Sequence, residues 1–296
     1  MDAMWKTCYN FRMASGNPSN SSFPASDFTL MARAALYRRY IAVSIRSQLQ
    51  YRASFIMMTL GHLFATAIEF AGVWALFARF GTLRGWTLPQ VALFYGAINT
   101  GFAFAEGIGR GFDSFPTMVK SGDFDRLLLR PHAAAFQVAA SEVQLMRVGR
   151  LMQGTFILAY ATHALRVDWT PALIALLLGT VAGAGCLFYG LFVLEATLSF
   201  WTIESLEIMN TVTYGGTETG QYPLTIYRRG FRAFFTYVVP LACINYVPLN
   251  AILHRTELAY IAPWLSWTAP AVGLLFLVIS LQCWKLGVRR YCSTGS

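Results

Sequence analysis

The sequence predicts an all-α integral membrane protein, with six transmembrane helices, an amphipathic interfacial helix before them and a charged cytoplasmic loop between the second and third. Three observations lead there. Hydrophobic residues make up 56% of the 296-residue chain and charged residues only 12%, with a mean hydropathy of +0.47, which is too apolar for a soluble domain. The apolar residues gather into runs that can cross a bilayer, and the basic residues gather on one side of those runs.

Taken in order, residues 1–29 are a polar tail, rich in Ser, Asn and Pro from Ala14 to Asp27, with no apolar core of a secretory signal. Met31, which opens directly onto the first organised segment, is a candidate start. Residues 30–50 set Leu36, Tyr40, Ile41, Val43 and Ile45 near one helical face and Arg33, Arg38, Arg39 and Arg46 on the rest, the pattern of a helix lying on a membrane surface. A solvated basic leader is the plainer alternative. Apolar runs follow at 53–78, 89–109, 149–165, 171–199, 231–247 and 262–284, several reaching the roughly 20 residues that a bilayer core requires. A single membrane domain over 30–292 accounts for them, with 293–296 as a short tail.

Six crossings place both termini on one side. The arginines and lysines of 33–52, 110–150, 228–232 and 285–290 then share that side, and only Arg79, Arg84, Arg166 and Arg255 oppose them. This bias makes the termini and the loops 110–148 and 200–230 cytoplasmic. In the latter loop Gly215-Gly216 signals a tight turn. The fifth run is the least regular, because Pro240 removes a helical hydrogen bond; residues 245–261 are expected to form a re-entrant or interfacial excursion near the outer surface. The net charge of +9 belongs to this arginine asymmetry rather than to nucleic-acid binding.

Chemistry-bearing motifs are sparse. The Gly107-Ile108-Gly109-Arg110-Gly111 cluster lacks the Lys-Ser/Thr of a phosphate loop, so the chain is not expected to hydrolyse nucleotide. No catalytic serine or metal-ligand spacing occurs; His62, His132, His163 and His254 are scattered, and the five cysteines read as buried thiols in no pairing pattern. Glu69, Glu106 and Glu195 lie in or near spans, where acids usually face an interior, a watery route or a partner charge. Glu106 is also placed for a local i, i+4 pair with Arg110, and Glu195 for reaching water at a span end. Between the second and third spans, Asp113–Pro131 reads as two short helices broken at Gly122. Asp123 and Asp125 suit the start of the second helix, Arg126 and Arg130 its end. The mixed charges beside Leu127, Leu128 and Leu129 suit a specific contact, or a helix covering the floor of the bundle.

Four segments in order, Ser121–Pro131 (SGDFDRLLLRP), Phe200–Glu204 (FWTIE), Tyr222–Tyr227 (YPLTIY) and Val238–Pro248 (VVPLACINYVP), resemble the permease subunits of bacterial ABC type-2 transporters. The resemblance implies an inner-membrane subunit without cofactor of its own. It would pair with itself or a sister permease and be driven by a cytosolic ATPase that holds ATP and Mg. It implies docking of that ATPase on the loop carrying Asp123, Phe124, Asp125, Arg126 and Arg130, a route near Glu69, Glu106 and Glu195, and an outer gate at Asn245, Tyr246 and Pro248. The residues alone also leave open an integral-membrane enzyme using Glu69 or Glu106 with His62, and a membrane assembly factor without a route.

Overall fold

The computed structural model of the chain describes residues 30–130, 132–202, 206–255 and 263–291. The expectations for tails 1–29 and 293–296, and those touching Cys8, Pro131, Glu204 and Cys292, lie outside the described residues. Every named element is helical: α1 (Leu30–Gln50), α2 (Arg52–Phe80), α3 (Leu88–Asp113), α4 (Phe115–Lys120), α5 (Asp123–Leu128), α6 (Ala134–Ser141), α7 (Val148–Ala164), α8 (Pro171–Leu198), α9 (Leu206–Gly220), α10 (Arg229–Ala233), α11 (Val247–Ile252) and α12 (Pro263–Arg290). Within the described residues, four helices are long and apolar enough to cross a membrane, or five if a bent pair is counted as one span.

The strut of the bundle is α3. Its span is 83% buried, whereas the span of α2 is 11% buried, so α2 packs at the periphery with most of its apolar surface open. Thr87 starts α3 with a capping box: its backbone N–H donates to Gln90 Oε1 at 3.1 Å, and Pro89 follows at a position needing no N–H. Helices α7 and α8 flank α3. The approaches are close because small residues stand where the backbones meet: a Cβ on Gly111 would collide with the Val138 carbonyl of α6, and one on Gly273 of α12 with the Gly183 carbonyl of α8.

The lower end of the bundle, where α3 ends, carries α4, α5 and α6. Gly122 joins α4 to α5 at φ 76°, a left-handed turn open to glycine. Phe115 and Phe124 stack edge-on at 4.9 Å beneath this hairpin and pack on Phe200, Trp284 and Tyr291. An aromatic floor therefore ties the hairpin to the ends of α8 and α12. The α1 segment is helical and rests on the segment after α6, where Leu145 N–H donates to Gln48 Oε1 at 3.0 Å. Its face differs in one residue: Val43 is exposed while Leu36, Tyr40, Ile41 and Ile45 are partly covered.

One correction concerns the fifth run. Residues 231–247 do not form a straight span; Arg229–Val238 and Ala242–Ile252 are bent by 86° across the break at Pro240. Both limbs return to the upper end. Before the first limb, the Thr225 carbonyl accepts from Arg84 at 3.2 Å, and after the second, Arg255 donates to the Gly85 carbonyl at 3.2 Å. The pair makes a broken span or a re-entrant loop, and residues 256–261 of the expected excursion lie outside the described residues. The chain reaches the upper end through α9, in the stretch expected to be a loop. Tyr214 of α9 meets Glu106 near the lower end, Gly220 packs against Ile98 in mid-bundle, and Thr225 meets Arg84. Gly215-Gly216 makes no turn and continues the helix, with Gly216 receiving the rings of Phe235 and Phe188. Arg228, Arg229 and Arg232 consequently stand at the upper end, opposite the side the sequence assigned to them. The polarity of α9 hid it from a search for apolar runs.

Candidate functional site

The most concentrated polar chemistry lies where α3, α7 and α9 meet above the lower floor. Glu106 is 2% exposed; its Oε1 lies 3.0 Å from Arg147 and its Oε2 3.7 Å from Arg150. Tyr214 of α9 donates to Oε1 at 3.4 Å. Burying an ionised carboxylate is costly unless it is paired, and here two cations and a hydroxyl supply the pairing. The cations are themselves held: Arg147 donates to Gln144 Oε1 at 3.0 Å, Gln144 N–H donates to the Gly107 carbonyl at 3.0 Å, and Arg150 covers the Phe102 ring at 5.1 Å.

The expected local pair between Glu106 and Arg110 is not formed. Arg110 turns to Asp113, with Glu142 3.7 Å away, because two arginines entering α7 already occupy the Glu106 carboxylate. Arg147, Arg150 and Tyr214 were not singled out from sequence. The spacing of Arg147 and Arg150 by one helical turn at the start of an apolar helix was the available signal, but their partner is 41 and 44 residues earlier. Glu195 of α8 does not reach water. It is 1% exposed and neither carboxyl oxygen has a hydrogen-bond partner, with Arg110 and Tyr214 within electrostatic reach.

Glu69 stands apart from these two. It is exposed midway along α2, within electrostatic reach of Glu218, which is exposed on α9. Glu207 and Thr211 continue the exposed polar face of α9 toward the lower end. Behind Glu69, Gln153 donates to the Thr66 carbonyl at 2.7 Å and to the Tyr95 hydroxyl at 3.2 Å. The structure therefore brings Glu106 and Glu195 around one tyrosine and puts Glu69 with a different carboxylate on an open surface. Among the described residues no group of three potential ligands could hold a metal ion. Cys186, Cys243 and Cys283 are unpaired and half-buried rather than fully buried.

At the lower end the α4–α5 hairpin divides its residues clearly. Phe124 is fully buried in the aromatic floor, while Asp123, Arg126, Arg130, Leu128 and Leu129 are exposed, Leu129 to 87%. Asp123 accepts from Ser121 Oγ at 2.6 Å and pairs with Arg126 at 3.2 Å, so it both braces the turn and faces outward. Asp125 is partly covered. In the bent segment Asn245, Tyr246 and Pro248 are all buried. Asn245 donates to the Gly220 carbonyl at 2.6 Å, joining that segment to the end of α9, and Tyr246 lies 6.2 Å from the Phe94 ring. The Arg255 guanidinium sits 3.9 Å over Trp86, in the turn between α2 and α3.

A chain with apolar spans, a solvent-facing hairpin braced on their ends and a polar helix passing between the ends has the parts of a membrane transporter subunit. No curated protein and no solved structure matches the chain. The family described as ABC-2 family transporter protein matches residues 63–295, from within α2 to the end of the chain, and the chain thereby belongs to that family, as a membrane permease component of an ABC transporter.

Proposed function

We propose that this chain exports a substrate by alternating access, driven by a separate cytosolic ATPase, with a second permease completing the route. In this reading α2, α3, α7, α8, α9 and α12 are the six crossings, the lower end and both termini face the cytoplasm, and α10 and α11 form the outer re-entrant gate. The membrane is the bacterial inner membrane, with α1 lying on its inner surface. The observation that carries the reading is the open face holding Glu69 and Glu218. A charged side chain facing hydrocarbon at the bilayer centre costs about 3 kcal/mol, so such a face needs a watery route or a partner permease over it.

The hairpin offers the ATPase contact through Asp123, Arg126, Leu128, Leu129 and Arg130. Phe124 fixes the hairpin from beneath, and Asp125 stands at its side. Force applied there reaches α3 directly, because Ser114 joins α3 to α4 with its N–H donating to the Arg110 carbonyl at 2.9 Å. The chain supplies the route, and ATP and Mg belong to the partner. Mild-detergent purification of this chain from its native membrane tests the reading: an ATP-binding subunit and a second permease copy or sister should co-purify. Recovery of the chain alone, with no nucleotide-stimulated transport after reconstitution, would sink it.

A further inference from the structure

The bias of basic residues toward one face leaves Arg228, Arg229 and Arg232 unexplained, since they stand at the end of the bundle opposite the α4–α5 hairpin. They open the helical limb Arg229–Val238, and among the described residues none of the three has a carboxylate in ion-pair range. Arg228 and Arg232 share a helical face across one turn, where Arg232 N–H donates to the Arg228 carbonyl at 3.0 Å. Phe231, between Arg229 and Arg232, is exposed, as are Phe234, Tyr237 and Val238 farther along the limb, Tyr237 to 84%, while Phe235 is buried against Gly216 of α9. One side of the limb is thus held by the bundle. The other presents cations at the rim and then aromatic and apolar groups toward the bundle interior's depth.

That order, guanidinium first and aromatic rings below, matches the layering of a lipid leaflet, where phosphates lie above the glycerol region and the acyl chains beneath. Three guanidiniums with no carboxylate in range among the described residues select an anionic headgroup, because arginine offers a planar fork of donors to phosphate oxygens. We propose that the limb Arg228–Val238 is a binding surface for anionic phospholipid in the leaflet opposite the ATPase-docking hairpin, with Arg228, Arg229 and Arg232 holding the phosphate and Phe231, Phe234 and Tyr237 seated below it. The assignment of that leaflet rests on the orientation given above. Because the limb is hinged at the Pro240 break, an engaged lipid fixes its depth and so the position of the gate beyond it.

The test uses the full chain in vesicles doped with photoreactive phosphatidylglycerol or phosphatidylcholine of identical acyl chains, with adducts mapped by peptide mass spectrometry. Phosphatidylglycerol should label 228–238 at least roughly tenfold more than phosphatidylcholine, because each basic residue near an anionic surface adds attraction. Arg228→Gln/Arg229→Gln/Arg232→Gln should remove that preference while leaving adducts on other segments unchanged. Equal labelling by both lipids, an unaltered preference in the triple variant, or protection of the limb by a second copy would overturn the proposal. Suppression by millimolar inorganic phosphate would assign the arginines to a free anion instead and overturn it too. A separate arm reads orientation: in a chain cleared of other cysteines, Arg229→Cys should react with an impermeant maleimide in intact cells. Labelling only after lysis refutes the orientation, whereas outside labelling without lipid preference refutes the lipid site alone.

Discussion

Glu106 of α3 and Arg147, at the entry to α7, lie 3.0 Å apart with the carboxylate almost wholly buried, and this pair closes the central helix onto its neighbour just above the lower floor. Arg150 and Tyr214 complete the contact, so three separate segments converge on one carboxylate. Replacing Glu106 with Gln leaves two largely covered guanidiniums without their counter-charge. Breaking such a pair by removing one partner costs about 3–5 kcal/mol. Thermal unfolding of E106Q in detergent should fall well below wild type. E106Q/R147Q should lose less than the sum of the single losses, the signature of a coupled pair. Additive losses would mean that the two residues act independently.

The hairpin makes a sharper distinction possible between bracing and docking. Asp123 pairs with Arg126 within the hairpin, and both are also exposed at its tip. Exchanging them, as D123R/R126D, keeps a local ion pair but reverses the pattern of charge offered outward. The exchanged variant should express and fold as wild type yet pull down much less of the ATPase. Leu129→Ser, which removes the most open apolar group of the tip, should weaken the same association without altering folding. Unchanged ATPase recovery in both variants would restrict this surface to covering the floor.

Close backbone contact yields a paired comparison. A Cβ at Gly111 collides with the Val138 carbonyl, which is backbone and cannot swing away, whereas a Cβ at Gly215 meets nothing within 4 Å. Gly111→Ala should therefore destabilise the chain and reduce recovery of the monodisperse species on size-exclusion chromatography. Gly215→Ala should be neutral or stabilise by up to about 1 kcal/mol, the helical advantage of Ala over Gly. The comparison holds amino-acid chemistry constant and changes only the space.

What could be read in the sequence followed from physical period and from local chemistry. The strongly apolar α2, α3, α8 and α12 announced themselves by length, and the α4–α5 hairpin by Gly122 between two short helical patterns. What escaped were features whose cause lies across the fold. Helix α9 carries Glu207, Thr211 and Glu218 on an open face, so it gives no apolar run, and its climb from Glu106 to Ile98 shows only in the packing. The arginines at 228–232 followed it to the wrong side. Glu106 was assigned its nearest cation along the helix, but Arg147 and Arg150 reach it through α7 packing, which no spacing rule encodes. Pro240 did mark the bend; the turn of 86° and the return of both limbs to one end needed the fold.

The upper end offers a reporter of its own closure. Arg255 follows the re-entrant segment and rests 3.9 Å over Trp86 while donating to the Gly85 carbonyl, so it fastens the segment's exit to the turn between α2 and α3. At the other side Asn245 fastens the same segment to Gly220. Cys243 lies in the same segment, two residues before Asn245, and is half-buried. In a chain keeping only Cys243, Trp86→Leu should remove a contact worth about 0.5–2 kcal/mol and raise the thiol's maleimide labelling by roughly two- to thirtyfold if the tie limits opening. Asn245→Ala should act in the same direction through the other tie. Because the two ties hold one segment at opposite sides, the double variant should exceed either single one. A labelling rate indifferent to both changes would mean that Cys243 is reached without movement of the segment, and that the burial of Asn245, Tyr246 and Pro248 is structural packing rather than a closed gate.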